Sequence, residues 1–530
     1  MLGGVNRFAN SRELPIGTPV VDPIAADAWR NNAGSCGRIS SPWISSSQAI
    51  LAVGLIVVGA ALRLYGARGD LCFDEIWSLA LLKPITSFGE IIWGINHDNN
   101  HVLNSMYLYM VGPDAAPVVL RGLSIVLGIA SVVAAGLIFW RDGIAGALTA
   151  MLLFAISYPV VHYGSEARGY SGEIFFSLLS LWFLQREFSL PSWVNRQGLG
   201  LAIGLGLLSH ALMVVCAIAF GIWTVFILWR RTADLHKGMV ESFLILLPAL
   251  VWSIAVAASV GFVALRHGFA VNVTHSVPDK FAIGMVIPFD FNGFINAYGT
   301  LVRLTVGLPN VVPAAACLFL AGGVAVASVR LWREQDNCRL SLYVVSIVIL
   351  PAAALVAKLP NTIFSRYFLF SGTMFLLFIA DVVNLAWLKG KMVRPVAAVI
   401  LTVIVTGNAV SLFYFFSGGE RGQYSVAVRR MAENGRIIYS TDYLFSMVVE
   451  FYSHKLGILT DYVREENWCT DTPDWYVDPK FNPNQKLLAL PDDITKTLPN
   501  CKLRLTRADT FPYWGLSGRQ LGLYRIRRAE

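Results

Sequence analysis

The sequence is poor in charged residues, and this scarcity excludes an ordinary soluble protein. Only 14% of its 530 residues are Asp, Glu, Lys or Arg, against about 25% in a typical soluble domain. In their place, 55% of the residues are hydrophobic. Long apolar runs in a chain of this composition indicate a protein that crosses a membrane several times.

Several motifs are missing as well. The seven cysteines form no CxxC pair and no Cys/His cluster with the spacing of a zinc site. No GxxxxGK[ST] or GxGxxG stretch occurs in a strand–helix setting, so the sequence offers no nucleotide-binding loop. The N-terminal residues lack the apolar core and cleavage site of a signal peptide. We interpret residues 1–47 as a cytoplasmic N-terminal arm.

The apolar runs themselves have the length of membrane-spanning helices. A helix needs about 20 apolar residues to cross about 30 Å of hydrocarbon. Eleven stretches are predicted to do so: 48–65, 116–140, 143–161, 170–185, 197–210, 211–229, 241–263, 311–332, 340–357, 367–388 and 395–416. We divide 197–229 into two helices that meet near Ser209 and His210, because one helix would be too long for the bilayer.

Basic residues set the predicted orientation, because Lys and Arg favour cytoplasmic loops. They gather at alternate loops, with the N-terminus inside: Arg141, Arg186, Arg196, Arg230, Arg231, Lys237, Arg330, Arg333, Arg339, Lys389, Lys391 and Arg394. The net charge of +8 is therefore a topology signal and does not indicate a nucleic-acid partner. The segments predicted outside are 66–115, 162–171, 264–310, 358–368 and everything after 417.

The C-terminal segment has the pattern of a small α/β domain. "GRIIYST" and "KLLALP" predict short strands, and "DYLFSMVVEFYSHKL" between them has helical periodicity. Outside the cytoplasm, Cys469 and Cys501 would meet an oxidising compartment in which a disulfide can form.

The predicted fold is an all-α polytopic membrane protein of about eleven transmembrane helices, with a small C-terminal α/β extracytoplasmic domain. The predicted domains are an N-terminal arm (1–47), a transmembrane module (48–416, with a first outer loop at 66–115) and the outer domain (417–530).

Unusual polar residues fall almost entirely on the predicted outer side. Five segments contribute them: Asp74 and Glu75; His97, Asp98 and His101; Glu166, Arg168 and Tyr170; His210; Arg366 and Tyr367. Ionisable groups at a membrane are costly and tend to be functional, so we predict that these segments line one cavity. Carboxylates can act as a general base, and arginine suits a phosphate because its planar fork donates two parallel hydrogen bonds. Together they predict sugar transfer from a polyprenyl phosphate.

Five stretches in order resemble the GT-C superfamily of integral-membrane glycosyltransferases. "FDEIWSLAL" is similar to its loop signature, "NNHVLNSMYLY" to the downstream His-Pro-Pro-Leu stretch, and "HYGSEARGYS" to the following turn. "LLSHALMV" resembles its histidine segment and "SRYFLFSGTMFLLFIA" its Arg-Tyr helix. The most similar branch is that of dolichyl-phosphate-mannose protein mannosyltransferases, which includes bacterial lipid A aminoarabinose transferases. The resemblance covers residues 48–416.

This resemblance implies an inverting transfer and assigns roles to residues. Asp74 becomes the general base, Glu75 positions a substrate, and Arg168 and Arg366 bind the donor phosphate. Supporting residues would be His101, Asp98, Glu166, Tyr170, His210 and Tyr367. Some branches use a divalent metal, which Asp74, Glu75, His97 and His101 could hold. The chain departs from the pattern at 101–103, where His-Val-Leu replaces His-Pro-Pro. The branch also implies a bacterial inner membrane.

Each residue also has a plainer interpretation. Asp74 and Glu75 could only cap a helix N-terminus, and Arg168 and Arg366 could extend from helix ends toward water. Other plain roles are an ion pair of Glu166 with Arg168, a buried His210, and interfacial positions for Tyr170 and Tyr367.

Two other functions compete with the transferase. One is a secondary transporter or lipid flippase, which would place charges near the bilayer midplane and often show repeats. The other is a membrane scaffold with a partner-binding outer domain. The sugar and the acceptor, whether lipid, glycan or protein, are left open by the sequence.

Overall fold

The computed structural model describes residues 45–529 apart from 96, 98, 268–287, 309, 319, 321, 324–337, 390–392, 418–421, 433–434, 481–487, 514 and 518. The predicted arm at 1–44, Asp98, and the loop arginines Arg330 and Arg333 therefore lie outside the described residues, as does Lys391. The domain boundaries proposed above stay predictions.

Helices dominate the chain up to residue 417. In chain order they are α1 (Ser46–Gly66), α2 (Phe73–Leu82), α3 (Glu90–Trp93), α4 (Val102–Val111), α5 (Pro117–Leu120), α6 (Gly122–Phe139), α7 (Ile144–Ile156), α8 (Tyr158–Tyr163), α9 (Tyr170–Ser189), α10 (Trp193–Ser209), α11 (Met213–Thr232), α12 (Leu235–His267), α13 (Phe291–Thr305), α14 (Cys338–Val344), α15 (Leu350–Val356), α16 (Leu369–Lys389) and α17 (Arg394–Ser417). A π-helical turn (Val345–Ile349) joins α14 to α15, and a 3₁₀ turn (Ser365–Phe368) precedes α16.

Seven helical segments in the described part are long and apolar enough to cross a membrane: Ser46–Gly66, Gly122–Phe139, Met213–Thr232, Leu235–Ser259, Arg339–Val356, Ser365–Leu388 and Arg394–Ser417. Apolar side chains cover the outer faces of these helices, and Ile50 of α1 is 73% exposed. Such a surface suits hydrocarbon rather than water. The predicted class, a polytopic helical membrane protein, is confirmed.

The predicted number of eleven spans is not confirmed. The run 143–161 is broken at Ser157, where the backbone leaves the helical region two residues before Pro159. The run 170–185 lies in α9, which carries Glu173, Arg186 and Glu187, and 197–210 lies in the 17-residue α10. The run 311–332 extends into residues outside the described part.

Helices α10 and α11 meet at an extended residue, as the division of 197–229 predicted. His210 has φ −158° and ψ 133°, so α10 ends at Ser209 and α11 begins at Met213. Because His210 has extended backbone angles, its side chain does not follow the helical periodicity of α10 or α11.

Part of the segment 264–310, which was predicted as an outer loop, is helix α13 (Phe291–Thr305), so the loop prediction is wrong for those residues. Tyr298, Leu301 and Leu304 of this helix are buried. Its C-terminal turn is held by α17, where the Asn408 side-chain amide donates to the Thr305 carbonyl oxygen at 3.2 Å. Residues 291–305 therefore pack into the helical module, whereas 268–287 lie outside the described residues.

The C-terminal segment forms a six-stranded mixed sheet with two helices. The helices are α18 (Tyr424–Met431) and α19 (Tyr443–Leu456); the strands are β1 (Arg436–Thr441), β2 (Leu459–Tyr462), β3 (Trp475–Lys480), β4 (Asp493–Leu498), β5 (Cys501–Phe511) and β6 (Gln520–Arg528). The strand order is β2-β1-β3-β6-β5-β4; the β2–β1 and β1–β3 pairs are parallel and the rest antiparallel.

The strand and helix predicted from "GRIIYST" and "DYLFSMVVEFYSHKL" are confirmed as β1 and α19. The strand predicted from "KLLALP" is wrong for its described residues 488–491, which have no regular structure. The Gln520 side chain hydrogen-bonds to the backbone there: it accepts from the Leu488 N–H and donates to the Leu488 carbonyl oxygen, each at 2.9 Å. Cys469 and Cys501 form a disulfide with Cα atoms 5.6 Å apart.

This sheet domain shares a hydrophobic core with the 66–115 loop. Phe73 and Ile76 of α2 pack in one cluster with Val428 of α18 and Phe445 of α19. The Tyr452 hydroxyl accepts a hydrogen bond from the Leu71 N–H at 2.6 Å. The shared core fixes the sheet domain next to Asp74.

Candidate active site

A cavity of about 1710 Å³ opens where the 66–115 loop, the helix ends and the sheet domain meet. The 66–115 loop contributes Asp74, and the turn before α9 contributes Arg168. The 3₁₀ turn contributes Arg366, and the sheet domain contributes Asp442 and Arg519. One space therefore collects ionisable side chains from sequence-distant segments, as the sequence predicted.

Asp74 stands at the centre of this polar group. It lies in the first turn of α2, and its Oδ2 is 2.6 Å from Arg168 Nη1 and 3.2 Å from Arg366 Nη1. Its side chain is 24% exposed, so it remains reachable from the cavity. Both arginines that the resemblance assigned to a phosphate thus meet at the assigned base, and the plain interpretation of arginines directed toward water is wrong.

Arg168 is held by several polar partners. Its Nη2 donates to Asn99 Oδ1 at 2.7 Å and lies 3.3 Å from His101 Nε2. The Asn99 amide nitrogen donates to the Asp74 carbonyl oxygen at 2.9 Å. Burial alone would lower the pKa of Arg168, but the Asp74 carboxylate opposes this and the pKa lies above its ordinary value. The guanidinium therefore stays charged.

Arg366 is held by rings and by Asp74. Its guanidinium carbon lies 4.3 Å from the Phe364 ring centroid and 5.7 Å from that of Tyr367. Both rings line the cavity, so Tyr367 belongs to its wall. Cation–ring contacts orient the planar guanidinium without using its N–H groups.

The Nε–H groups of Arg168 and Arg366 are buried and have no hydrogen-bond acceptor in the described part of the chain. Buried donors are normally paired, so these two are exceptions, which they share with the Nε groups of Arg63 and Arg186. The geometry suits an oxyanion, since guanidinium donors bind carboxylate and phosphate oxygens strongly.

Glu75 is turned away from the cavity. Its carboxylate accepts from Arg121 Nε and Nη2 at 2.8 and 2.7 Å and from the N–H groups of Cys72 and Ala167, each at 2.7 Å. The side chain is fully buried and is not among the described residues that line the cavity. The arrangement joins the loop to the bundle, and the positioning role implied for Glu75 stays a prediction that can act only through its neighbours.

Arg121, the partner of Glu75, was missed by the sequence argument. Its side chain is fully buried, and it also donates to the backbone carbonyls of Ala67 and Asp70 at 2.8 and 2.7 Å. A lone arginine inside the predicted span 116–140 was the available signal.

Glu166 lies against His162, where the plain interpretation expected Arg168. Its Oε1 lies 2.9 Å from His162 Nε2, one helical turn earlier, and both side chains are fully buried. Neither residue is among the described cavity-lining residues, so Glu166 supports the turn rather than a substrate.

His101, Tyr170 and His210 form a ring cluster in the cavity wall. The His101 and His210 rings stack with centroids 4.8 Å apart, and Tyr170 is 4.6 Å from His210. Tyr170 is only 1% exposed, so its interfacial interpretation is wrong. Burial lowers the pKa of His101, which therefore presents a neutral imidazole to Arg168. Next to this cluster, Glu173 Oε2 lies 3.2 Å from His210 Nδ1.

The expected metal ligands do not converge. His97 Nδ1 accepts from the Asn99 N–H at 2.9 Å, and its ring packs 5.0 Å from Trp77. Glu75 faces Arg121, while Asp74 Oδ2 is occupied by two guanidiniums. No group of three or more His, Cys, Asp or Glu side chains suits a metal among the described residues, a set that omits Asp98. This donor set does not fit a divalent ion.

Much of the remaining cavity wall is apolar. Apolar side chains from α10, α11, α12 and α15 form this part of the wall: Leu208, Val215, Ile218, Val256, Leu350 and Ala354. Since a helix rises about 1.5 Å per residue, Ile218 lies about 8 Å below the start of α11 at Met213. The cavity therefore has a charged end at Asp74, Arg168 and Arg366 and, along α11, an end lined by apolar side chains.

Three more cavity or supporting residues were missed by the sequence argument. Asn99 lies in the Asn-rich stretch "NHDNN", in which nothing distinguishes it from its neighbours, whereas Glu173 is an acid inside a predicted span, which is a usable signal. Arg519 had no signal, because the sequence around it matches no motif.

No protein-family model matches the sequence, and no curated protein matches it. Among solved structures, the apo oligosaccharyltransferase of Archaeoglobus fulgidus is 12% identical, with a TM-score of 0.45 over 77% of this chain and 64% of its own. The chain therefore spans just under two thirds of that protein. ArnT from Cupriavidus metallidurans is 11% identical, with a TM-score of 0.43 over 90% of this chain and 98% of its own.

The Saccharomyces cerevisiae protein O-mannosyltransferase Pmt1-Pmt2 complex, bound to its sugar donor, is 19% identical. Its TM-score is 0.33 over 43% of this chain and 35% of its own. All three likenesses lie below 20% identity and below a TM-score of 0.5, so they assign neither a superfamily nor a branch to this chain.

Proposed function

We propose that this protein is an inverting glycosyltransferase that moves a sugar from a polyprenyl phosphate to a lipid, glycan or protein acceptor. The observation that carries the proposal is Asp74 held between Arg168 and Arg366, whose buried Nε–H groups lack acceptors among the described residues. Both guanidiniums line the cavity, and guanidiniums bind phosphate oxygens strongly. The apolar wall below them suits an isoprenoid chain.

The proposed reaction uses Asp74 as the general base. The acceptor hydroxyl gives its proton to the Asp74 carboxylate while its oxygen attacks the anomeric carbon. The bond from that carbon to the phosphate oxygen breaks, and its electron pair leaves with the lipid phosphate. Arg168 and Arg366 stabilise the charge that develops there. Attack opposite the leaving group inverts the anomeric configuration.

We further propose that the sheet domain and the cavity mouth face outward from a bacterial inner membrane, with the N-terminus in the cytoplasm. The basic residues at alternate predicted loops support this orientation. External protease applied to intact spheroplasts should cleave the sheet domain, whereas cleavage only after lysis would reverse the orientation.

The test of the base is Asp74→Asn in purified protein supplied with labelled polyprenyl-phosphate sugars. Transfer and lipid-phosphate release should fall by about 10²–10⁴-fold, because the amide cannot take the proton. Asp114→Asn, which removes an exposed acid of the same loop outside the described cavity lining, is the matched control. Unchanged turnover in Asp74→Asn would remove Asp74 as the base, and flipping without transfer in proteoliposomes would favour the transporter.

The phosphate site is tested separately by binding. Polyprenyl phosphate without a sugar should bind the wild type, and Arg366→Gln should weaken it by roughly tenfold, the loss expected for a charged hydrogen bond. Equal affinity in both proteins would place the donor phosphate elsewhere.

A further inference from the structure

Arg519 is a cation at the cavity that the proposed transfer does not use. It precedes β6 in the sheet domain, and its guanidinium carbon lies 5.0 Å from the ring centroid of Phe73, the neighbour of Asp74. No hydrogen bond or ion pair engages its guanidinium among the residues that the structure describes. Its partly exposed side chain lines the same cavity as Asp74.

The backbone around Arg519 is fixed. Its N–H donates to the buried Tyr424 hydroxyl at 3.0 Å, and Gln520 is bonded to the backbone of Leu488. The Phe73 ring stacks on Phe445 of α19 with centroids 6.4 Å apart. These contacts set the distance between the Arg519 side chain and the catalytic end of the cavity.

The other charged side chains of the cavity already have partners. Asp74 takes both Arg168 and Arg366. Asp442 is the second carboxylate of the lining; it is exposed and caps α19, accepting from the Leu444 N–H at 3.0 Å. Among the described lining residues, Arg519 is thus an arginine whose guanidinium forms no ion pair with a carboxylate. An anion in this cavity can therefore bind Arg519 without displacing a carboxylate partner.

We infer that Arg519 is the anchor for an oxyanion, a carboxylate or phosphate, on the acceptor, and that the protein therefore selects anionic acceptors. This inference rests on the proposed function, in which Arg168 and Arg366 hold the donor phosphate. With those two guanidiniums occupied, Arg519 binds the acceptor's anion. Its place beside Phe73 brings the acceptor's hydroxyl toward Asp74. A guanidinium suits this task because its fork matches both oxyanions.

The test measures binding to wild-type protein in nanodiscs that are saturated with polyprenyl phosphate. Equilibrium dialysis compares labelled methyl glucuronide with methyl glucoside, a pair that differs by one carboxylate. The wild type should bind the glucuronide roughly tenfold more tightly, as expected for one charged hydrogen-bonded contact. Arg519→Gln should remove the preference and Arg519→Lys should keep part of it. Arg504→Gln, an exposed strand arginine outside the described cavity lining, should retain the wild-type ratio.

The outcomes separate this inference from the proposed function. Saturable polyprenyl phosphate binding with equal affinity for the two sugars overturns the anchor and leaves the transferase proposal standing. Failure of polyprenyl phosphate to bind overturns the proposed function on which the anchor rests. If Arg519 only packs on Phe73, the Gln and Lys variants will unfold at similarly lowered temperatures with the sugar ratio unchanged, which also overturns the anchor.

A third probe identifies the source of the anion. If dodecyl glucuronide binds more tightly than methyl glucuronide and its binding depends on Arg519, the anchor is supported and the acceptor is lipid-linked. Equal, Arg519-dependent binding of the two supports the anchor with a water-soluble acceptor. Binding of either compound that is insensitive to Arg519→Gln overturns it.

Discussion

At the scale of single residues, the acidic pair of the 66–115 loop shows how neighbours can differ in role. Consecutive residues in a helix point about 100° apart. Asp74 consequently meets Arg168 and Arg366 at the cavity, while Glu75 meets Arg121 inside the protein. The sequence shows that the pair is unusual, but the rotation of α2 decides which carboxylate reaches a substrate.

Glu75→Gln should impair stability before chemistry. Removing one partner of a buried ion pair leaves an uncompensated charge and costs about 3–5 kcal/mol. We therefore expect Glu75→Gln to lower the free energy of unfolding by about that amount, measured by denaturant titration in detergent. The double variant Glu75→Gln/Arg121→Met should lose less than the sum of the two single variants, because it leaves no unpaired guanidinium. A Glu75→Gln protein as stable as the wild type would contradict this account.

At the scale of helices, close backbone approach places Arg168 and His210. A Cβ on Gly169 would lie 1.7 Å from the Ser209 carbonyl oxygen, and one on Gly172 would lie 2.4 Å from Ser209 Oγ. The start of α9 therefore presses directly on the end of α10. The contact positions two cavity residues. Arg168 directly precedes Gly169, and His210 directly follows Ser209.

Gly169→Ala should separate α9 from α10 and displace Arg168 from Asp74. Overpacking of this kind costs about 1–3 kcal/mol, so the unfolding temperature should fall. Affinity for polyprenyl phosphate should also fall, measured by the same binding assay. Gly221→Ala in α11 is the matched control, since a Cβ there meets nothing within 4 Å. It should match or slightly exceed the wild type in stability. Equal behaviour of the two variants would refute the close-contact argument.

At the scale of the whole molecule, the sheet domain forms one side of the site. It supplies Asp442 and Arg519 to the cavity and shares a core with α2 through Phe445. Substrate access therefore depends on a domain that contributes no residue to the proposed chemistry. Its edge is tied by the disulfide between Cys469 and Cys501, which lie 32 residues apart in sequence.

Loss of that disulfide should loosen the sheet domain and leave the helical bundle intact. For a loop of this length the chain-entropy argument gives roughly 3–4 kcal/mol. The Cys469→Ser/Cys501→Ser variant should show faster amide exchange in β4 and β5 and unchanged exchange in α6 and α16. A membrane-impermeant reductant should reproduce the effect in the wild type and add nothing to the variant. Uniform loss of protection in both parts would show that they unfold together.

Composition and apolar run length are enough to predict the class of the protein. Long apolar runs favour hydrocarbon over water, and seven of the eleven predicted spans coincide with described helices of sufficient length. Polar residues are conspicuous beside such runs, and those that the sequence placed in one cavity do line one: Asp74, Arg168, His101, His210, Tyr170, Arg366 and Tyr367.

Which of these groups face each other depends on how distant segments pack. Periodicity cannot report the rotation of α2, so it could not separate Asp74 from Glu75. Nor could it show that Glu166 pairs with His162. Arg519 lies far from every motif and reaches the site only through the packing of the sheet domain. Contacts of this kind arise between segments distant in the chain, and no local pattern of residues encodes them.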